Sequence, residues 1–265
     1  MALVPLSKTK HASLKLGPVD MNEFLDLLLI PLYEHEINSV ACDYPLCITL
    51  QDNTPSLRLL SSISPKHGSA LITSEGKWVG RYVPTYVRHY PFFAIATGPE
   101  EKRIFIEDTS PRLQEDSGEA LFEKSEPTTL LAGIVSDMTA IFESASRLQI
   151  ALDALQKFKL IVPWTPKIAS TDGHEATIGD IYRVDMSGLD DLSNPEFNEL
   201  RELGVLSLAY GQFLSMNNLG KLVALQNLTS ASSPTADLEV SLDDDSQALD
   251  FGLPDSAKTL DFDKL

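Results

Sequence analysis

The stretch from Gly76 to Phe93 concentrates the side chains best suited to recognition, because Arg81, Arg88 and His89 alternate with Trp78, Tyr82, Tyr86 and Tyr90. Guanidinium groups beside aromatic faces can form a pocket for a carboxylate, a peptide terminus or a planar group, through charge-assisted hydrogen bonds and cation–π contact. These seven residues are the candidate ligand-binding set. A competing reading treats Tyr82, Tyr86 and Tyr90, spaced by four, as a packed helical stripe whose arginines pair with local acids.

The remaining reactive residue types form weaker patterns. None of the histidines, His11, His35, His67, His89 and His174, stands in the H-x-D/E arrangement of an iron oxygenase triad. His35-Glu36 and His174-Glu175 are adjacent pairs, whose side chains diverge on a strand or a helix, so no metal ligand set is assigned. No G-x-S-x-G elbow, P-loop or GxGxxG turn occurs, and no cofactor is implied. Asp172-Gly-His-Glu175 reads as a hairpin tip. Cys42 and Cys47 lack a CxxC partner and read as two reduced, buried thiols.

The charge balance narrows the partners. With 38 acidic and 21 basic residues the formal net charge is −17, which opposes long-range attraction to phosphate backbones or anionic lipid. Nucleic acid is therefore not an expected partner. Residues 229–265 hold nine acids against Lys258 and Lys264, and their few apolar residues lead to the expectation of a disordered acidic tail. Within it Leu249-Asp-Phe251-Gly-Leu and Leu260-Asp-Phe262-Asp-Lys-Leu nearly repeat. Acidic-hydrophobic units of this kind suit docking to a protein groove, which makes Leu249, Phe251, Leu260 and Phe262 candidate partner-docking residues. The N-terminus lacks an apolar h-region, and the longest apolar run, Leu27 to Leu32, is far short of the ~20 residues of a membrane span. The expected location is cytoplasmic, without a span.

These residues must be positioned by an α+β core. Asp20 caps a short helix expected over residues 20–38, ended or kinked by Pro31. Short β-type runs follow at Leu46 to Leu50, Leu57 to Ile63, Ala70 to Thr73, Trp78 to Val83, Phe92 to Ala96 and Arg103 to Ile106. The turn signals Asp52-Asn53-Thr54-Pro55, Ser64 to Gly68, Glu75-Gly76 and Gly98-Pro99 separate them, predicting an antiparallel β-meander or partial barrel over residues 1–126. From Leu130 to Phe158 apolar residues recur at helical spacing, predicting one long helix. A β-hairpin is expected across Thr171-Asp172-Gly173, and Ser193-Asn194-Pro195-Glu196 opens a helix that Gly204 breaks before another to Leu225. This second, helical region with its one hairpin, residues 127–228, is expected to share the core of the first, with the tail over 229–265.

Several segments resemble the bacterial SapC-like proteins over roughly residues 3–225: Val4-Pro-Leu-Ser-Lys8, the run from Ile30-Pro-Leu through Glu36 to Asp43-Tyr-Pro45, Trp78 to Phe92, Glu107-Asp108, Gly118 to Phe122, and Gly179 to Asp185. The block around Arg81 to Tyr90 is the most specific of them. What the resemblance implies is an accessory or binding protein, associated with peptide modification of the halogenase type or with nutrient uptake, and hence a peptide or protein partner. Two other classes are a cupin-like or iron-dependent modifying enzyme, with His35 or His89 as ligand, and a structural protein of a surface layer.

Overall fold

The computed structural model describes residues 3–63, 68–96, 102–166, 168–169, 175–176 and 179–231. In chain order these form β1 (Leu3–Pro5), β2 (Lys15–Leu16), a 3-10 turn (Met21–Phe24), β3 (Leu29–Pro31), a second 3-10 turn (Glu34–Glu36), α1 (Ile37–Val40), β4 (Leu46–Gln51) and β5 (Thr54–Leu60). Then come α2 (Thr85–His89), β6 (Phe92–Ala96), β7 (Lys102–Glu107), β8 (Leu113–Gln114), β9 (Glu119–Ala120), β10 (Phe122–Glu123), β11 (Glu126–Pro127) and α3 (Thr129–Lys157). The chain continues through β12 (Ile161–Pro163), β13 (Ile168–Ala169), β14 (Glu175–Ala176), β15 (Tyr182–Val184), α4 (Met186–Asp190), α5 (Asn194–Glu202), α6 (Val205–Ser215), a 3-10 turn (Met216–Asn218) and α7 (Leu219–Ala231). Met1–Ser233 is one compact unit. The tail motifs with Leu249, Phe251, Leu260 and Phe262, the Gly98-Pro99 turn, Ser64 to His67, and the hairpin tip with Asp172 and His174 lie outside the described residues.

The fold is α+β, and every pairing among the described strands is antiparallel, as the alternation of β-type and helical patterns predicts. The described strands do not close a barrel: they divide among five sheets, the largest ordered β12-β15-β4-β5-β3. Strands from both halves of the chain thus share that sheet. The β4–β5 hairpin turns at Asp52 and Asn53, both in left-handed conformation, the geometry Asp and Asn tolerate at a tight turn. At the other end of the sequence, β13 pairs with β14 as the expected hairpin.

Three local expectations are corrected. The one helix expected over 20–38 is broken into a 3-10 turn capped by Asp20 Oδ1 on the Asn22 N–H, an edge strand Leu29–Pro31 against β5, and a second 3-10 turn, Glu34–Glu36, that leads into α1. Pro31 is tolerated there because an edge position needs no further N–H donor. Ala70 to Thr73 and Trp78 to Val83 are not strands; one Ile72–Trp78 bridge joins them across the turn at Gly76. Cys47 is buried in β4, whereas Cys42 is exposed just after α1.

α3 is the organising rod. Thr128 caps it through a hydrogen bond from the Leu131 N–H, and its Leu131, Ile134, Met138 and Ile141 enter a core built on β6 and β7. Its C-terminal half, with Leu148, Leu152 and Leu155, enters a second and larger core with the five-stranded sheet, α5 and α6. The middle of α3 therefore crosses the seam between two cores. α5 starts with Ser193 and Glu196 bonded to each other, and Gly204, left-handed, resets the chain for α6.

β15 meets β4 only at Tyr182 and Ile48, and a side chain fills the ladder beyond that pair. Gln212 of α6, fully buried, donates to the Leu46 carbonyl at 2.9 Å and accepts from the Val184 N–H at 3.0 Å. Replacing Gln212 by Leu orphans both backbone groups in a dry interior. It should lower unfolding free energy by about 2–4 kcal/mol, read from urea denaturation.

Candidate functional site

The first polar element of the site is a carboxylate removed from water. Glu36 is wholly buried at the end of its 3-10 turn. Its Oε2 accepts from the Tyr33 N–H at 3.1 Å, and its Oε1 accepts from the Tyr82 hydroxyl at 3.1 Å and the Thr85 N–H at 2.6 Å. The Thr85 amide is the first of α2, one of the donors a helix cannot satisfy internally. Glu36 thus fixes where α2 begins.

α2 is short for a reason written on either side of it. Pro84 precedes it, and Tyr90 is held extended (φ −52°, ψ 134°) ahead of Pro91, as a residue before proline must be. Tyr82, Tyr86 and Tyr90 consequently do not form the helical stripe that their spacing suggests. Within the single turn, Arg88 folds back: its Nε donates to the Val83 carbonyl at 2.9 Å, and one terminal nitrogen donates to the Tyr82 hydroxyl at 3.1 Å and Thr85 Oγ1 at 3.0 Å. Its guanidinium carbon lies 5.3 Å from the Tyr82 ring centre. Among the described residues no carboxylate is at ion-pair distance from Arg88. Its charge reaches Glu36 through the Tyr82 hydroxyl, which accepts from Arg88 and donates to Glu36, a relay in which one hydrogen bond polarises the next.

Arg88 and His89 face a cavity of about 340 Å³ between α2, the Glu34–Glu36 turn and the middle of α3. The α3 wall is Asp137, Ala140, Ile141, Glu143, Ser144 and Arg147, at helical spacing. His89 Nε2 is 3.4 Å from Asp137 Oδ2. Burial pushes His89 below the ordinary histidine range, reinforced by Arg88 and opposed by Asp137. His35 spans the opposite wall, its Nδ1 2.9 Å from the buried Ser144 Oγ and its Nε2 3.4 Å from Thr85 Oγ1. Arg147 is held at 3.1 Å on Glu34. The cavity therefore offers cations, carboxylates and an apolar floor at once.

The other candidate residues go elsewhere. Arg81 points away, its side chain 80% exposed and bidentate on Asp43 at 3.0 and 3.1 Å, beside a second cavity of about 180 Å³. That pairing holds the Asp43 carboxyl below its usual range. Trp78 donates its indole N–H to the Tyr44 hydroxyl and the Tyr82 carbonyl, both at 3.0 Å. Gly80 is required there, since a Cβ would sit 2.1 Å from the Tyr44 hydroxyl. Tyr86 packs edge-on against Phe93, and Tyr90 packs against Phe24 and Phe93. The structure thus brings Arg88, His89 and the Tyr82 hydroxyl together and separates Arg81, Trp78, Tyr86 and Tyr90 from them. Sequence reasoning missed Glu36, Thr85, Asp137, Ser144 and Arg147. One signal was present: Ser144 occupies a core position of α3 between Ile141 and Leu148.

A family model described as SapC matches residues 6–222 of this chain, the region that contains both cores and every wall of the cavity. The chain belongs to the SapC family. No curated protein and no solved structure matches it. In this SapC-family chain no described helix is long and apolar enough to cross a membrane. Among the described residues no group of three or more His, Cys, Asp or Glu side chains is disposed to hold a metal ion.

The electrostatics of the site set two expected outcomes. Glu36→Ala strands the Thr85 and Tyr33 amides and should destabilise the fold by about 3 kcal/mol or more in urea titration. His89, depressed by burial, binds its proton more readily in the unfolded chain, so stability rises with pH and is lost as pH falls below about 6.5. Unfolding midpoints across that window should slope less steeply in His89→Gln than in wild type. His11, also depressed by burial and by Lys10, should contribute a slope of the same sign.

Proposed function

We propose that this SapC-family chain is a binding protein whose cavity takes the end of a peptide or a free amino acid, with Arg88 engaging the carboxylate. The observation that carries this reading is Arg88 itself. It is locked from three sides by neutral oxygens, lines the cavity, and has no carboxylate of its own at ion-pair distance among the described residues. With Nε and one terminal nitrogen held in this way, the guanidinium is preorganised to present the N–H donors of its other terminal nitrogen to a carboxylate oxygen. Asp137 and Glu143 on the α3 wall suit an ammonium group, while Ala140 and Ile141 suit the apolar part of a residue. A cavity of about 340 Å³ fits a ligand of amino-acid to dipeptide size.

The setting that accompanies this reading is cytoplasmic. The chain would act as an accessory protein that holds a peptide for a modification system of the halogenase type or for an uptake system. The exposed Arg81 on Asp43 and the aromatic residues Trp78, Tyr86 and Tyr90 would frame the recognition segment without touching the bound carboxylate.

The test is calorimetric titration with a panel of amino acids and dipeptides, each paired with its C-terminal amide. Free acids should bind and amides should not. Ala140→Trp, at an exposed position on the cavity wall, should fill the cavity and abolish binding without unfolding the protein. Arg88→Lys, which keeps the charge and loses the guanidinium held in place by the Val83, Tyr82 and Thr85 oxygens, should weaken it at least about tenfold. Equal binding of acids and amides, or undiminished binding by Ala140→Trp, would overturn the reading.

A further inference from the structure

The distribution of charge in the helical region is at odds with the rest of the chain. Residues 203–231 contain a single charged side chain, Lys221, in a protein that carries 38 acids. The same segment leaves large apolar side chains uncovered: Leu203, Tyr210 and Phe213 are each about two-fifths exposed and Leu214 is 59% exposed. Isolated exposed apolar residues need no explanation, but a contiguous set does.

The spacing of this set identifies what it fits. Leu206, Tyr210 and Phe213 of α6 follow one another at intervals of four and three, the repeat that keeps one seam of a helix facing a neighbouring helix, and Leu203 stands just ahead of that helix. Leu206 packs partly on the larger core and the others stand outside it. Beside the seam lies a shallow groove between α1 and α6, lined by Asn38, Cys42, Tyr210 and Leu214, none of which is charged. α6 therefore presents a helix-sized apolar ridge with a neutral trough along it.

From this we infer that α6 is the interface of a homodimer, pairing antiparallel with α6 of a second copy about a two-fold axis near Tyr210. Leu206 then lies opposite Phe213 of the second copy, and Leu214 enters the neutral groove. Charge selects this occupant. A basic partner would be attracted by a carboxylate-bearing surface, and a surface free of carboxylates forgoes that attraction. Two chains of −17 repel each other wherever their acids meet, and an uncharged face lets them touch without opposing like charges. Isologous pairing of the seam with itself also closes, leaving no sticky face for further growth.

Sedimentation velocity of the full chain over a range of concentrations, at low and high salt, tests the inference. The wild type should convert to twice the monomer mass as concentration rises, and more readily at high salt, which screens the self-repulsion. Tyr210→Glu and Leu214→Glu should each weaken association at least about tenfold by burying an unpaired carboxylate. Ile150→Glu, at a half-exposed position on α3, should associate like wild type. Alkylation of the exposed Cys42 thiol should slow with concentration in wild type and not in Leu214→Glu. A wild type that stays monomeric at high salt, or a Leu214→Glu variant that dimerises as well as wild type, would overturn the assignment.

Discussion

A carboxylate buried without a cation in contact is the constraint on which the site depends. Glu36 has no access to water, and the interior tolerates it because three donors converge on it from Tyr33, Tyr82 and Thr85. Two of those donors belong to the recognition segment, so satisfying the carboxylate and placing that segment are one event. Arg88 completes the arrangement one bond further out, binding the same hydroxyl and the same threonine that serve Glu36. Its charge balances the buried carboxylate from a position where its remaining N–H donors face the cavity.

The location follows from the larger architecture. α3 threads two hydrophobic cores, and the polar side chains Asp137, Ser144 and Arg147 of its midsection belong to neither core and turn to the cavity. Facing it, the Glu34–Glu36 turn and α2 bring His35, Arg88 and His89. A cavity at the seam of two packed bodies can be polar because its walls are held rigid from behind. The apolar backing of Ile141, Leu148 and Val87 supplies that rigidity, while Ser144 anchors His35 from within the helix.

What could be read from the sequence is what local physics decides. α3 announced itself through a dozen apolar residues at one period. The start of α5 was written in Ser193 and Glu196, and the β4–β5 turn in Asp52-Asn53. Reading failed where two periods compete or where partners lie far apart. Leu27 to Pro31 has a helix-like apolar run, yet pairing with β5 captured Leu29–Pro31 as strand. Tyr82, Tyr86 and Tyr90 carry a helical spacing that Pro84 and Pro91 cut short, a breaker signal outweighed by the period. Arg81 and Arg88 were grouped because they are close in sequence, and the chain sends them to separate surfaces. Glu36 was invisible as a hub because its partners stand 46 and 49 residues away. The SapC resemblance, by contrast, was legible over nearly the span that the family model matches.

The central claim is that the guanidinium of Arg88, and not that of Arg81, meets the carboxylate of the bound ligand. Its most direct measurement is arginine side-chain NMR, following the terminal guanidinium N–H (Nη–Hη) signals of both residues during titration with a dipeptide and with its C-terminal amide. The account predicts that the free terminal N–H signals of Arg88 shift and become protected from solvent exchange with the acid alone, while Arg81 stays unmoved on Asp43. A shift at Arg81 with Arg88 unchanged at saturation would contradict it.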